Sequence, residues 1–280
     1  MNITKWKAIS RVVRGSAHIR DNKECQDAVF QKEEDGLVIL AVADGHGSVK
    51  SPYSAKGAQL AVETAKEHLE KFYGYLKTSP NQDIKRHAED NLPRKIVQDW
   101  SKKVKSDFES LNKLTEAEAA DIKEESVDEN SILVKYGSTL LSVIAAPEYI
   151  LFLQLGDGDI ITVDDNGEVR PISIKDDRLL ANETTSLCTP NAWAEMRIRY
   201  MPIIENPPAL IIISTDGYYN SFVTADDFLK AGKDFLDILK KDGPDYVKIH
   251  LEEWLNETSE KGSGDDITLA VIYREDLIDN

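Results

Sequence analysis

VILAVADGHGS, residues 38–48, decides how this chain is read. Six apolar residues in a row end on Asp44, and glycine, histidine and glycine follow. A short, continuous Val/Ile/Leu/Ala run reads as a strand buried on both faces. A carboxylate at its end sits where a rigid sheet meets its loops, the usual mounting place of catalytic groups. The pattern recurs in ILFLQLGDGD (residues 150–159, Asp157), in ALIIISTDGYY (209–219, Asp216) and, with the acids ahead of the strand, in GSGDDITLAVIY (262–273, Asp265 and Asp266). Several carboxylates gathered at one sheet edge raise one another's pKa unless hard cations supply the missing positive charge. The four segments together predict a divalent-metal site.

Outward from this stretch, 6–13, 28–31 and 36–43 read as strands. A helix is predicted from Pro52 to about residue 76, with Ala55, Ala58, Val62, Ala65 and Leu69 on one stripe. A second is predicted over 93–114, with Ile96, Val97, Trp100, Val104, Phe108 and Leu111 as its apolar face. The acidic segment TEAEAADIKEESVDEN (115–130) reads as a solvated loop. Strands follow at 137–146, 149–155, 160–163, 169–174, 194–203 and 209–214, then helices at 224–240 and 245–255, and a last strand at 266–273. This order is neither an alternating βαβ series nor an all-β pattern. It predicts an α+β fold of antiparallel sheets with segregated helices. No Pro/Gly/Ser-rich linker divides the chain, so residues 1–280 are expected to form one domain.

A formal net charge of −16 repels polyphosphate backbones, which argues against nucleic-acid or anionic-membrane partners and favours cations. Cys25 and Cys188 lie far apart without C-x-x-C spacing, so neither a disulfide framework nor a zinc site is expected. The first fifteen residues carry charges inside every apolar stretch and show no secretion signal. The longest apolar runs, 37–43 and 209–213, fall far short of the ~20 residues a membrane-spanning helix needs. A cytoplasmic location is expected.

In order along the chain, ECQDA, VADGHGS, YGSTL, LGDGD, STDG and GSGDDITL resemble the signature motifs of the metal-dependent serine/threonine protein phosphatases called the protein phosphatase 2C, or PPM, family. The resemblance spans about residues 8–273. It implies a four-layer αββα sandwich, two antiparallel sheets flanked by helices, with a pair of Mn or Mg ions at one end and phosphorylated proteins as substrates. Carried over by position, Asp44 resembles the family's bridging carboxylate, and the Gly45 carbonyl a ligand of the first metal. Asp216 and Asp265 resemble the carboxylates of the second metal, and Asp27 an acid that contacts metal-bound water. His46 resembles the general acid for the leaving alkoxide, and Asp157 the acid of an additional third ion found in some members. Gly137, Ser138 and Thr139 resemble a structural GST motif.

Elementary chemistry agrees with that assignment. Phosphate monoesters hydrolyse so slowly that catalysis must supply up to about 10²¹-fold acceleration. Two cations about 3.5–4 Å apart bring the pKa of a bridging water down toward ~7, so no protein nucleophile is needed. Oxygen-only ligation selects Mg or Mn over Zn or Cu.

Two positions depart from the family. Gln26 stands where most members carry Glu, and Asn22 stands where members place a phosphate-holding Arg. Arg20, Arg14 and Lys23 are nearby substitutes, Arg20 being preferred as the substrate-binding residue. The opening GSAHIRDNKECQD looks like a bacterial branch of the family, and His18 is either part of that pattern or a core-packed histidine. Asp266 is expected to act as a hydrogen-bond acceptor behind Asp265, and Tyr218 and Tyr219 to pack. Trp100, Trp193 and Trp254 are expected in the core or at an interface, and His68, His87 and His250 in solvent. The alternative reading is a catalytically weak or inactive phosphopeptide-binding signalling protein; a third is a two-metal enzyme of small phosphate esters. The segments 175–190 and 115–130 are candidate partner-recognition loops.

Overall fold

In the computed structural model, which describes residues 4–78, 83–116, 128–172, 185–204 and 206–277, the decisive run forms a strand whose side chains alternate between two cores. The elements run β1 (Trp6–Val13), α1 (Ser16–Arg20), β2 (Asp27–Glu34), β3 (Leu37–Asp44), α2 (Ser54–Thr78), α3 (Ile84–Glu116), α4 (Glu129–Lys135), β4 (Leu140–Ala145) and β5 (Tyr149–Leu155). After these come β6 (Asp159–Val163), β7 (Val169–Pro171), α5 (Ala192–Glu195), β8 (Arg197–Pro202), β9 (Leu210–Ser214), α6 (Asp216–Tyr219), α7 (Ala225–Asp242), α8 (Pro244–Lys261) and β10 (Ile267–Arg274).

Two five-stranded sheets result, ordered β1-β10-β9-β6-β7 and β2-β3-β4-β5-β8, with every pairing among the described strands antiparallel. Val38, Leu40 and Val42 of β3, with Leu141 and Val143 of the adjacent β4, face the other sheet, where Ile211, Ile213, Ala270 and Ile272 meet them. Ile39, Ala41 and Ala43, one residue out of phase, pack beneath α2 and α3 with Ala58, Ala65, Leu69, Ile96 and Trp100. On the opposite outer face, Leu210, Ile212, Leu269 and Val271 pack under α7 and α8 with Phe228, Leu236, Val247 and Leu251. Each central strand is therefore covered on both faces. That is why these antiparallel strands read as unbroken apolar runs rather than as the alternation expected of a sheet with one wet face. The layers are αββα, as anticipated.

The second long helix begins nine residues earlier than its apolar face predicted, and it contains Pro93. An interior proline costs ~3 kcal/mol or more in a helix. The extra turns persist because Ala88 and Leu92 are buried against the core and the Asp83 carboxylate accepts from the Arg86 N–H at 3.1 Å. His68, expected in solvent, is buried, with Nε2 2.9 Å from Asp99 Oδ2 on α3. The segment read as a strand from residue 194 opens instead with α5, and pairing starts at Arg197. Helices α1 and α4 had no periodic signal; both are short, and neither contains a buried residue. Most of the acidic segment and residues 175–184 of the second candidate loop lie outside the described residues. No described helix is long and apolar enough to cross a membrane.

Register brings the acidic segments to one end of the sandwich. Asp27 pairs with Asp44 across β2 and β3, and Asp159 with Ser214 across β6 and β9. Leu269 of β10 also pairs with Ser214, so the Asp265–Asp266 turn precedes β10 at that same end.

Candidate metal centre

Asp44 is fixed through its backbone. Its N–H donates to Thr139 Oγ1 at 3.0 Å, and its carbonyl accepts from the Thr139 N–H at 2.8 Å. Gly45 bridges to Ser138, and its N–H donates to the Gln26 carbonyl at 3.1 Å. A Cβ at Gly45 would meet the Ser54 carbonyl oxygen at 2.6 Å, so only glycine lets β3 run into the start of α2. His46 donates its N–H to the Gly137 carbonyl at 3.1 Å, and a Cβ at Gly137 would overlap the His46 ring. The GST motif is thus the cradle of both Asp44 and His46.

Asp27 links the two sheets. Its Oδ2 accepts from Thr215 Oγ1 at 2.7 Å and Thr268 Oγ1 at 2.8 Å, hydroxyls that flank Asp216 and the Asp265–Asp266 pair. Its Oδ1 is buried without a hydrogen-bond partner among the described residues. Burial above all, with the Asp266 and Asp265 charges adding, pushes this carboxyl up to about 8 against the opposing pull of the two threonines. Burial also raises Asp44 well above the carboxylate range, reinforced by Asp27 and Asp216, and raises Asp216, reinforced by Asp157. The Asp216 carboxyl adds to the rise at Asp44, while the Asp44 carboxyl opposes the rise at Asp216, so the two groups interact across the sheets. Asp265 is half exposed, and its charge acts on Asp27, Asp44 and Asp216 alike. Asp157, exposed after β5, acts on Asp216 and His46. Burial pulls His46 below the ordinary imidazole value, and the Asp157 charge opposes it.

The structure therefore places Asp27, Asp44, Gly45, His46, Asp157, Asp216 and Asp265 at one end of the sandwich, with their charges acting on one another, while among the described residues the acids and histidine whose ligand-type atoms lie within 4.8 Å of one another are His18, Asp265 and Asp266. Arg20 ends α1 exposed to solvent, with no ion pair among the described residues. Of the other substitutes, Arg14 donates to the Lys23 carbonyl at 3.4 Å. The Gln26 side chain lies against Gly47, the left-handed residue of the DGHG loop (φ 58°). Thr215 and Thr268 escaped the sequence reading, although each hydroxyl lies within two residues of a motif acid. Asp266 accepts from the Gly15 N–H at 2.6 Å and the Gln26 N–H at 2.7 Å, the acceptor role expected of it. Cys25 is no competitor as a nucleophile, since burial and the Asp266 charge push its thiol up to about 12.

Chemically, the site is a set of oxygen donors with too many negative charges and one orphaned buried carboxylate oxygen. That is the donor set of a hard divalent cation of the Mg or Mn kind.

A model of the family described as protein phosphatase 2C matches residues 14–256. The fold is similar to the catalytic domain of the serine/threonine protein phosphatase PstP in complex with two manganese ions, at 15% identity over 97% of this chain and 99% of that one, TM-score 0.55. It is also similar to the serine/threonine phosphatase Stp1 from Staphylococcus aureus (12% identity, 98% and 97% covered, TM-score 0.59) and to RsbX in complex with magnesium (14%, 98% and 98%, TM-score 0.53). No curated protein sequence matches the chain.

Proposed function

The chain belongs to the protein phosphatase 2C family of metal-dependent serine/threonine protein phosphatases, and on that premise we propose how its own residues do the work. Residues 1–280 act as one phosphatase domain on phosphoserine and phosphothreonine in protein substrates. Asp44, Asp216 and Asp265, with the Gly45 carbonyl, would hold two Mn²⁺ or Mg²⁺ ions, with Asp27 behind them, and Asp157 would serve a third. Bound there, such ions would supply the charge that acidifies water and offsets the phosphoryl oxygens. Asp44 arrives from one sheet and Asp216 from the other, so the packing of the sandwich itself sets the spacing of the donors. Thr215 and Thr268 keep Asp27 oriented by occupying Oδ2 and leaving Oδ1 open. His46 holds the proton that the departing serine or threonine oxygen needs. Its depressed pKa makes the protonated ring a stronger acid, and Asp157 preserves part of the protonated fraction. Arg20, on the α1 rim, is the proposed contact for the substrate phosphate.

The observation that carries this reading is the buried, unpartnered Oδ1 of Asp27, a carboxylate whose Oδ2 ties it to the strand ends that bear Asp216 and Asp265. Hydrolysis of a phosphoserine peptide with Mn²⁺, with Mg²⁺ and with chelator tests it, Asp44→Asn serving as control. Stimulation by Mn²⁺ that is lost in Asp44→Asn is expected. Absence of turnover at every metal concentration would replace the enzyme by a phosphopeptide-binding protein.

A further inference from the structure

Helix α1 is too short to be stable alone, yet three hydrogen bonds pin its start to the 264–266 turn and the end of α8. The Gly15 N–H donates to Asp266 Oδ1 at 2.6 Å, and the Ser16 N–H to Ser259 Oγ at 3.0 Å. The Ala17 N–H donates to the Gly264 carbonyl at 2.8 Å, and Ser259 Oγ in turn donates to the Asp265 carbonyl at 2.9 Å. This stitching inserts the ring of His18 between two carboxylates. Nδ1 lies 3.0 Å from Asp266 Oδ1, and Nε2 lies 3.7 Å from Asp265 Oδ1. The side chain is 15% exposed, and its buried Nδ1, although 3.0 Å from Asp266 Oδ1, has no hydrogen-bond partner among the described residues. The three ligand-type atoms of His18, Asp265 and Asp266 all lie within 4.8 Å of one another.

Asp265 is consequently held on one side only. Its Oδ1 accepts from the Asp266 N–H at 2.9 Å and faces His18 Nε2, whereas Oδ2 has no hydrogen-bond partner among the described residues. An acid that is half exposed at the mouth of a cluster has rotamer freedom to lose before it can serve as a donor. Contacts on one oxygen remove that freedom and leave the other oxygen for the cation.

We propose that His18 is a positioning residue of the metal centre, holding Asp265 through Nε2 so that Oδ2 stays available to a divalent cation. The inference rests on the reading of Asp265 as a metal donor. Nothing in it requires His18 to touch metal or substrate. The competing role is structural, through Nδ1 and Asp266, and the two ring nitrogens let the roles be separated. In His18→Gln the amide nitrogen reaches the position of Nε2, and in His18→Asn that of Nδ1.

Mn²⁺ binding to the whole chain, measured by isothermal titration calorimetry, is the test, with melting in chelator as the structural readout. His18→Ala and His18→Asn are expected to weaken Mn²⁺ binding by about 10-fold or more, the usual loss when a ligand's supporting contact is removed. His18→Gln should recover most of it, while the Gln and Asn variants melt alike without metal. Wild-type affinity in His18→Ala, or equal affinities in the Gln and Asn variants, would overturn the inference alone. If Ala fails to fold, the Gln–Asn comparison still decides. Failure of the wild-type chain to take up Mn²⁺ overturns this inference together with the metal-centre reading.

Discussion

Replacing Asp27 by Asn should flatten the pH dependence of stability in the metal-free protein. The folded Asp27 carboxyl stands at about 8 against 3.8 for the free group, so between those values the folded state holds a proton that the unfolded state has released. Stability then falls as pH rises, because the unfolded chain binds fewer protons. For a single such group the loss between pH 5 and pH 8 comes to about 3–4 kcal/mol at ~1.36 kcal/mol per pKa unit. With ~2.1 cal/mol/K per residue of unfolding entropy, a chain of this size should melt about 6 °C lower at pH 8 than at pH 5 from this group alone. The Asp27→Asn variant has no proton to exchange at this position. Its side-chain carbonyl accepts from Thr215 and Thr268, and its amide nitrogen falls where Oδ1 has no partner, a pH-independent cost of about 1–3 kcal/mol. The slope and not the absolute Tm is therefore diagnostic. The difference in slope should exceed the single-group value, since the Asp27 charge also raises Asp44. Calorimetric melts in chelator from pH 5 to 8 measure it. Parallel pH profiles for wild type and Asp27→Asn would refute the claim that Asp27 sits in a buried field of like charge.

Gly137→Ala should cut phosphatase turnover at least tenfold, because the new methyl displaces the His46 ring; peptide kinetics beside a melting curve would show the loss in kcat. Gln26→Glu adds a charge beside the acids, so it should tighten Mn²⁺ binding and lower the Tm in chelator, two readouts that must move in opposite directions. Leu40→Ala, in the core between the sheets, should cost about 2–5 kcal/mol by urea unfolding. Trp100→Phe should cost about 1–3 kcal/mol in the same assay, because the Gly57 carbonyl loses the indole donor that reaches it at 3.0 Å.

Much of this was legible in the chain, and the reasons are local. The apolar run ending at Asp44 read as a two-sided buried strand because both neighbours, helix layer and second sheet, really do cover it. The acids could be paired in advance because each terminates or begins such a strand, and register then leaves them nowhere to be but one end. What stayed hidden depends on contacts distant in sequence. Nothing around Thr215 or Thr268 announces that both hydroxyls reach a carboxylate more than 180 residues away. The early start of α3 was masked by Pro93, whose local penalty is outweighed by the burial of Ala88 and Leu92. His68 looked solvated among charged neighbours, and only the α2–α3 packing reveals its bond to Asp99.

The central claim, that acids remote in sequence converge to hold divalent cations, is tested most directly by anomalous diffraction at the manganese edge from crystals grown with Mn²⁺. Two peaks should appear, at least one within about 2.3 Å of carboxylate oxygens of both Asp44 and Asp216 or Asp265. A map with no anomalous density among these three side chains, from crystals in which the chain is folded and Mn²⁺ is in excess, would contradict it.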